Sequence, residues 1–425
     1  MKKKIFFTKN ILIRKEHFGT LILLRNGLRF VVDNKLFVIF KFLNKNNCWP
    51  KDKSIDVSIV RELENNGIIT NNKVETGNIK FVKNAFVSKD CLSFPRTVYW
   101  ECTTKCNYNC IHCYSSSNIS NINGLPFSKV KKLINELSKK GTEFLSIGGG
   151  EPVLYLHIYK TIKYAAEKGL TIEMTSNGSL LNQVVRENLK KSGLKFLQIS
   201  LDGITSETYS RIRRGGNLDL VLSNIVPASK EFVLSLCTVV NKINIDEIPK
   251  IINYSKKIGA KHYRVLPLMS VGRGKNIESF QLSGVEWRKL NAYLQVRKGR
   301  EKKLNIQLNE NLVLPKQKNI EWLPINHFGC SAGRTTCSID AFGNIFPCSF
   351  MELPLLNCGN ILKNNLAYIW KNSKVLKEIR ELDHVNGRCG KCKHLSVCRG
   401  GCRAAAYSKN DKLDDSDYLC SVDIV

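Results

Sequence analysis

Alternation of apolar and polar positions divides the chain into three stretches of different rhythm. Near the N-terminus, Leu12–Arg14, Thr20–Leu24 and Leu28–Val32 are short β-prone runs, broken by Gly19 and by an Asn-Gly turn signal at Arg25, Asn26 and Gly27. The rhythm then turns helical. Leu36, Phe37, Ile39, Phe40 and Leu43 share one face behind Asp33-Asn34, a plausible N-cap, and a second helix is predicted over 56–66 with Gly67 as its cap. Ile68-Ile69 begins a further strand. From about residue 94 to 300, strand and helix patterns alternate strictly. The strands are expected at Thr97–Glu101, Phe144–Ile147, Thr171–Thr175, Phe196–Leu201, Phe232–Val240 and Tyr263–Leu266, with helices such as Ser128–Lys139 and Asp246–Ile258 between them. Six β/α units predict a parallel sheet curled into a partial (β/α)6 barrel, with its chemistry at the C-terminal strand ends. Beyond Pro315 and Pro324 the periodicity gives way to closely spaced cysteines.

Composition narrows the class. The chain has 425 residues, 43% of them hydrophobic, which is enough for two or three domains with real cores. There is no apolar run of membrane-spanning length. The basic start at Lys2–Lys4 is followed by Lys9, Arg14, Lys15 and Glu16, which interrupt any signal-peptide core. A cytoplasmic location is expected, with no membrane partner. In a reducing compartment 16 cysteines, most of them in two dense groups, point to metal rather than disulfides. The net charge of +30 suits an acidic peptide, an acidic electron carrier or nucleic acid, and Lys-rich helix faces contribute to it.

The densest group is Cys106, Cys110 and Cys113, a C-x3-C-x2-C triplet followed by Tyr114. Three thiolates can hold three irons of a [4Fe–4S] cubane and leave the fourth open to a small molecule. Structural zinc favours paired knuckles and four ligands. The later strand ends carry matching features: Gly148-Gly149-Gly150-Glu151-Pro152, where glycines permit close backbone approach and an acid can meet a cationic amine; Ser176-Asn177-Gly178; Ser200-Leu201-Asp202-Gly203; and Arg211, Arg213 and Arg214 ahead of Gly215. In the C-terminal stretch Cys330, Cys348, Cys389, Cys392, Cys398, Cys402 and Cys420 follow a fixed order around Gly343, and an extra Cys337 lies between the first two. A zinc ribbon of Cys389, Cys392, Cys398 and Cys402 would leave three of these cysteines unused.

The triplet, the Gly-Gly-Glu-Pro run and the later strand-end motifs resemble the radical SAM enzymes, and the seven-cysteine tail resembles their SPASM extension. That resemblance implies S-adenosylmethionine on the open iron, reductive cleavage to a 5′-deoxyadenosyl radical, and two auxiliary [4Fe–4S] clusters. It places Gly149, Gly150 and Glu151 at the methionyl ammonium, Ser200 and Asp202 near the ribose, and Arg213 at the carboxylate, with Asn177 among the cofactor-binding residues. Val265-Leu266 would border the adenine, and Gly272-Arg273-Gly274 closes the unit. Cys106, Cys110 and Cys113 would hold the first cluster. Cys330, Cys348 and Cys402 would serve one auxiliary cluster, with Cys337 as a possible fourth ligand, and Cys389, Cys392, Cys398 and Cys420 the other. Cys48, Cys91, Cys102, Cys237 and Cys358 are read as small buried hydrophobes, with Cys102 close enough to the triplet to be a spare ligand.

Three strands followed by a small winged-helix unit, about 70 residues within the first 90, resemble the PQQ-chaperone type of peptide-recognition domain, which holds a leader peptide as an added strand beside a helix. The middle helix of that pattern is meagre here, around Pro50 to Ser54, and the alternatives for this region are a DNA-binding winged helix or a structural cap. The expected division is therefore 1–90 for leader recognition, 91–310 for the radical SAM core and 325–425 for the SPASM domain. The expected function is maturation of a ribosomally made precursor peptide by a C–S or C–C crosslink, with a flavodoxin or ferredoxin as reductant and no nucleic-acid partner. The alternatives are a peptide epimerase or splicease, an anaerobic sulfatase-maturing type of enzyme, or an iron–sulfur scaffold that binds peptide or nucleic acid. Sulfatase-maturing relatives carry Asp where this chain has Ser349, and a scaffold has no use for a SAM pocket. No general base is evident in the sequence.

Overall fold

The computed structural model describes residues 4–8, 11–24, 29–50, 57–71, 79–86, 88–120, 124–307 and 329–420. The Asn-Gly turn, residues 51–54 of the helix expected around Pro50 to Ser54, and the linker prolines lie outside these ranges. The N-terminal part comprises β1 (Phe6–Phe7), β2 (Ile11–Lys15), β3 (Thr20–Leu24), β4 (Arg29–Val32), α1 (Asn34–Asn46), α2 (Val57–Asn65), β5 (Ile69–Thr70) and β6 (Lys80–Lys83). Strands β4-β3-β2-β6 form one sheet, antiparallel except where β6 lies parallel to β2. The Asp33 carboxylate accepts the Lys35 N–H at 2.6 Å and starts α1. The five apolar residues named for that helix are all buried, against Ile11, Ile13 and Ile22 of the sheet.

This part is bolted to the rest of the molecule by polar bonds as well as by packing. Arg14, fully buried, donates to the Gly141 carbonyl at 2.8 Å and pairs with Glu16 at 2.7 Å. Glu16 in turn accepts from the Ser93 N–H at 2.8 Å and the Ser93 hydroxyl at 3.0 Å. Desolvation of a buried ion pair offsets much of its attraction, so this one is weak evidence for stability, but losing one partner would strand the other's charge.

The parallel alternation follows as β7 (Thr97–Thr103), α3 (Phe127–Lys140), β8 (Phe144–Gly149), α4 (Ile158–Glu167), β9 (Thr171–Ser176), α5 (Gln183–Lys191), β10 (Phe196–Ser200), α6 (Ser206–Ile212), α7 (Leu218–Glu231), β11 (Val233–Val240), α8 (Ile248–Lys257), β12 (His262–Pro267), α9 (Gly284–Arg300) and β13 (Asn305–Gln307). In β9, Ile172 and Met174 are buried towards the helices while Thr171, Glu173 and Thr175 are half-buried on the other face. Arg264 of β12 hydrogen-bonds Tyr99 of β7 although four strands separate them, so the sheet curls into a barrel. Each expected strand is present, and the partial (β/α)6 barrel holds.

The cysteine-rich part supplies β14 (Thr336–Ile339), β15 (Asn344–Phe346), β16 (Gly359–Asn360), α10 (Leu366–Asn372), α11 (Lys374–Glu381), α12 (Leu395–Cys398) and α13 (Arg403–Asn410). β14 pairs in parallel with β7, and the sheet therefore runs β13-β12-β11-β10-β9-β8-β7-β14-β15-β16. Among the described residues no helix is long and apolar enough to cross a membrane.

Candidate functional site

The cysteine triplet sits on the loop that leaves β7 at the mouth of the barrel. Cys106 and Cys110 are buried and Cys113 is half-buried. The loop is held from three directions: the Cys106 N–H bonds to Asn118 O at 2.9 Å, the Asn109 N–H to Arg214 O at 2.8 Å, and the Ile111 N–H to Ile212 O at 3.0 Å. Arg273 then clasps it, with Nε on Cys110 O at 2.7 Å, Nη1 on Ser117 O at 2.9 Å and its own N–H on Cys113 O at 2.9 Å. A Cβ on Gly272 would stand 2.1 Å from Tyr114 O, so only glycine lets this clasp close.

Donors face the sulfurs. The Tyr108 N–H lies 3.4 Å from Cys106 Sγ, Arg213 Nη1 is 3.9 Å from Cys110 Sγ, and the Ser115 hydroxyl is 3.6 Å from Cys113 Sγ. Even so, burial pushes the Cys106 thiol up to about 11 and the Cys110 thiol up to about 12. Thiolates here need further positive charge, and iron supplies it. Among the described residues no three His, Cys, Asp or Glu side chains converge where one ion could sit. A cubane instead takes each thiolate on a different iron, so this donor set fits a cluster.

The glycine run after β8 is pressed against the same loop. A Cβ on Gly149 would meet Thr103 O at 2.5 Å, and one on Gly150 would meet Lys105 O at 2.1 Å. The Gly150 and Glu151 N–H groups bond to Thr103 O and Lys105 O at 2.7 and 2.8 Å. Glu151 is wholly buried; it accepts from the Ser176 hydroxyl and the Asn177 N–H, both at 2.8 Å. Burial raises its carboxyl above the usual range despite those donors. Asn177 donates to Asn107 Oδ1 at 2.9 Å and so ties the third strand end to the cysteine loop.

Of the three neighbouring arginines only Arg213 is buried; Arg211 and Arg214 are exposed. Arg213 Nε binds Asp202 at 2.7 Å, and Asp202 also takes His112 Nε2 at 3.2 Å and the Val239 N–H at 2.7 Å. Burial alone would raise the Asp202 carboxyl, but Arg213 and His112 outweigh it and hold it well below the ordinary range. Asp202 therefore spends its carboxylate on orienting Arg213 and the triplet's own His112, while Ser200 stands half-buried at the end of β10 beside Cys237. Leu266 is half-buried on the lumen side of β12, and Val265 points away into the core.

The C-terminal cysteines fall into two sets. Cys330 hydrogen-bonds Cys402, and Cys348 is the electrostatic neighbour of both. Cys398 neighbours Cys389 and Cys420. Cys392 is joined to Cys389 through its N–H at 3.0 Å. Cys337 belongs to neither set: it is fully buried on β14 and has Cys358, Arg380 and Glu136 as its charged or thiol neighbours. Cys91, Cys102 and Cys237 are buried as well, while Cys48 and Cys358 are half-buried.

Several residues that hold these groups carry no motif. Asp417, buried, accepts the Cys402 N–H at 2.8 Å and the Leu419 N–H at 2.9 Å, and lies near Cys398, so one carboxylate spans both sets. Burial pushes it up to about 6. At the seam between barrel and cysteine-rich part, Glu101 of β7 is the hydrogen-bond neighbour of Tyr114 and Glu352. Burial raises both carboxyls; the Asp340 charge adds to each, and the Glu101 charge adds further at Glu352. Tyr114 also stacks edge-on against Phe350 at 5.7 Å.

A barrel whose first loop carries three clustered thiols, beside glycines pressed to the backbone and a second cysteine-bearing domain, defines an iron–sulfur enzyme built to activate a small ligand. Residues 100–255 match the family described as the radical SAM superfamily, and residues 330–394 match the one described as an iron-sulfur cluster-binding domain, SPASM. Over 343 residues the chain is 31% identical to a protein named AdoMet-dependent heme synthase from Methanosarcina barkeri, a match covering 76% of this chain and 96% of the relative. It is 29% identical over 346 residues to Mycofactocin maturase MftC from Mycobacterium tuberculosis, covering 77% of this chain and 83% of that one. In fold it is similar to Streptococcus suis SuiB crystallised with precursor peptide SuiA, at a TM-score of 0.76 and 18% identity, over 98% of this chain and all of the other. The chain belongs to the radical SAM superfamily. It is a SPASM-type radical SAM enzyme that uses [4Fe–4S] clusters and S-adenosylmethionine.

Proposed function

We propose that this enzyme installs a C–S or C–C crosslink in a ribosomally made precursor peptide. The observation that carries the reading is the N-terminal sheet. The heme-synthase relative is matched over 96% of its length by 76% of this chain, whereas the SuiB fold, crystallised with a precursor peptide, accompanies 98% of it. Among the described residues no strand pairs with the outer side of β4, and α1 exposes Val38 and Phe42 one turn apart. An extended leader peptide needs such an edge for its backbone and an apolar ledge for alternate side chains.

In this reading residues 1–90 hold the leader, 91–310 form the catalytic core and 325–425 carry the auxiliary clusters. Cys106, Cys110 and Cys113 hold the cluster that meets S-adenosylmethionine, and together these cofactors supply the 5′-deoxyadenosyl radical that takes a hydrogen atom from the peptide. Glu151 receives the ammonium, with Gly149 and Gly150 letting the backbone approach, and Arg213 receives the carboxylate. Ser200 meets the ribose. Asn177 and Asp202 act through Asn107, His112 and Arg213. Cys330, Cys348 and Cys402 hold one auxiliary cluster and Cys389, Cys392, Cys398 and Cys420 the other. With Cys337 turned towards Cys358, the first of these has three protein ligands. A flavodoxin or ferredoxin is the expected reductant.

Coexpression with a small peptide gene from the same neighbourhood tests the reading. The peptide should lose the mass of a hydrogen pair for each crosslink. Cleavage of S-adenosylmethionine with no change in any such peptide, but formation of heme, would favour the second reading, a heme-synthase-like activity, for which the 31% identity speaks.

A further inference from the structure

A cleft of about 600 Å³ runs between α3 and residues 361–367 of the cysteine-rich part. Its α3 wall presents Lys129 and Lys132 in the first half of the helix and Lys139 and Lys140 in the last turn, and Lys363 faces them from the other wall. The single acid on α3 in this cleft, Glu136, is already used: its two oxygens accept the Leu366 and Ala367 N–H groups at 3.0 and 2.8 Å. The cleft lining thus carries five lysines against one carboxylate, which leaves a strip of positive charge with its one acid turned to backbone N–H groups.

Its direction matters as much as its charge. Helix α3 starts where the triplet loop ends, at the mouth of the barrel, and finishes on the underside where β8 begins. At that lower end it meets the N-terminal sheet: Lys80 binds the Ser138 hydroxyl at 2.8 Å, Asn84 binds Lys140 O at 3.2 Å and Arg14 binds Gly141 O at 2.8 Å. The strip therefore joins the N-terminal domain to the rim of the active site. Fourteen helical residues span roughly 21 Å, which about six or seven extended residues would cover.

We propose that this cleft is the track for an acidic segment of the precursor peptide, lying between the part held by the N-terminal domain and the part presented to the barrel. The inference rests on the peptide-maturase reading. Lysines spaced along one line would hold Asp and Glu side chains of an extended chain without demanding one sequence, and would raise the local concentration of the segment that follows at the mouth.

The test uses a fluorescein-labelled seven-residue peptide of alternating Glu and Asp, and the full-length enzyme. The charge reversal K129E/K132E/K139E should weaken binding at least tenfold and flatten its salt dependence. The control K230E/K250E/K257E, equal in charge but on other helices, should change it less than twofold. Equal losses in the two variants would overturn the track while leaving peptide modification, read by mass, untouched. If the cleft variant instead keeps deoxyadenosine formation with dithionite but loses it with ferredoxin, the cleft receives an electron carrier and the proposal is wrong. Circular dichroism of both variants guards against misfolding.

Discussion

At the scale of single residues, the site is governed by what cannot be added or removed. A methyl group on Gly150 would lie 2.1 Å from Lys105 O, a backbone atom that cannot swing aside. G150A should therefore displace the glycine run from the cysteine loop, lowering deoxyadenosine formation by two orders of magnitude or more while iron content changes little. Normal turnover in that variant would show that the two loops need not touch. Glu101 makes a different prediction. Its carboxyl is raised by burial, with the Tyr114 hydroxyl opposing and the Asp340 charge adding. Between the ordinary carboxylate range and that raised value the folded state holds a proton that the unfolded state has lost, so stability falls as pH rises through the window. The slope is at most about 1.4 kcal/mol per pH unit for one proton. E101Q removes it: the Tm difference between variant and parent should move in favour of glutamine from pH 5 to pH 8. Parallel curves would mean that no proton is held at the seam.

At the scale of elements, the barrel was legible because strand and helix patterns alternate along the chain, because β9, β10 and β12 keep period two, and because each motif sits where a strand ends. The added strands were not. Asn305–Gln307 and Gly359–Asn360 are three and two residues long, too short to show any period, and they are strands only because a neighbour's edge is waiting. The clasp on the triplet loop was hidden for another reason. Arg273 and Cys110 lie 163 positions apart, and nothing local in Gly272-Arg273-Gly274 tells what its guanidinium will hold. Asp417 was hidden in the same way, as was the pairing of His112 with Asp202. R273A should leave all three thiols in place and yet loosen the loop they stand on, at a cost of about 1–3 kcal/mol for the lost charged hydrogen bonds. Iron retained at the first cluster, measured by its spectrum after gel filtration, should drop, and R273K should restore it only in part because one ammonium cannot reproduce a two-pronged grip.

Across the whole molecule, three parts share their polar interior. Trp370 of the cysteine-rich part donates to Leu92 O at 2.9 Å, Arg334 to Asp90 O at 3.1 Å, and the Arg14–Glu16 pair joins the N-terminal sheet to Gly141 and Ser93. The segment near residue 90 is gripped from both sides. Expected boundaries at 90 and 325 follow changes in composition, and the sheet ignores the second of them, since β14 continues it from β7. Breaking the N-terminal pair with R14M, which leaves Glu16 buried without its cation, should cost about 3–5 kcal/mol and lower the melting temperature of the entire enzyme rather than of one part. Two separate calorimetric transitions, only the first of them shifted, would show that the parts unfold independently.

The parallel pairing of Thr336–Ile339 with Thr97–Trp100 of β7 has a consequence for how the chain is born. On the ribosome, the strand that leads into the metal-binding loop emerges with one flank bare, and its neighbour on that flank is not synthesised until some 230 residues later, which at about 5–20 residues per second is a wait of ten seconds or more. For that interval the nascent enzyme carries an unpaired edge, the kind of surface that chaperones shield and that aggregates recruit. A stop codon after residue 328 should accordingly yield inclusion bodies instead of a free-standing barrel, and delivery of iron and sulfide is best timed after the tail has closed the flank.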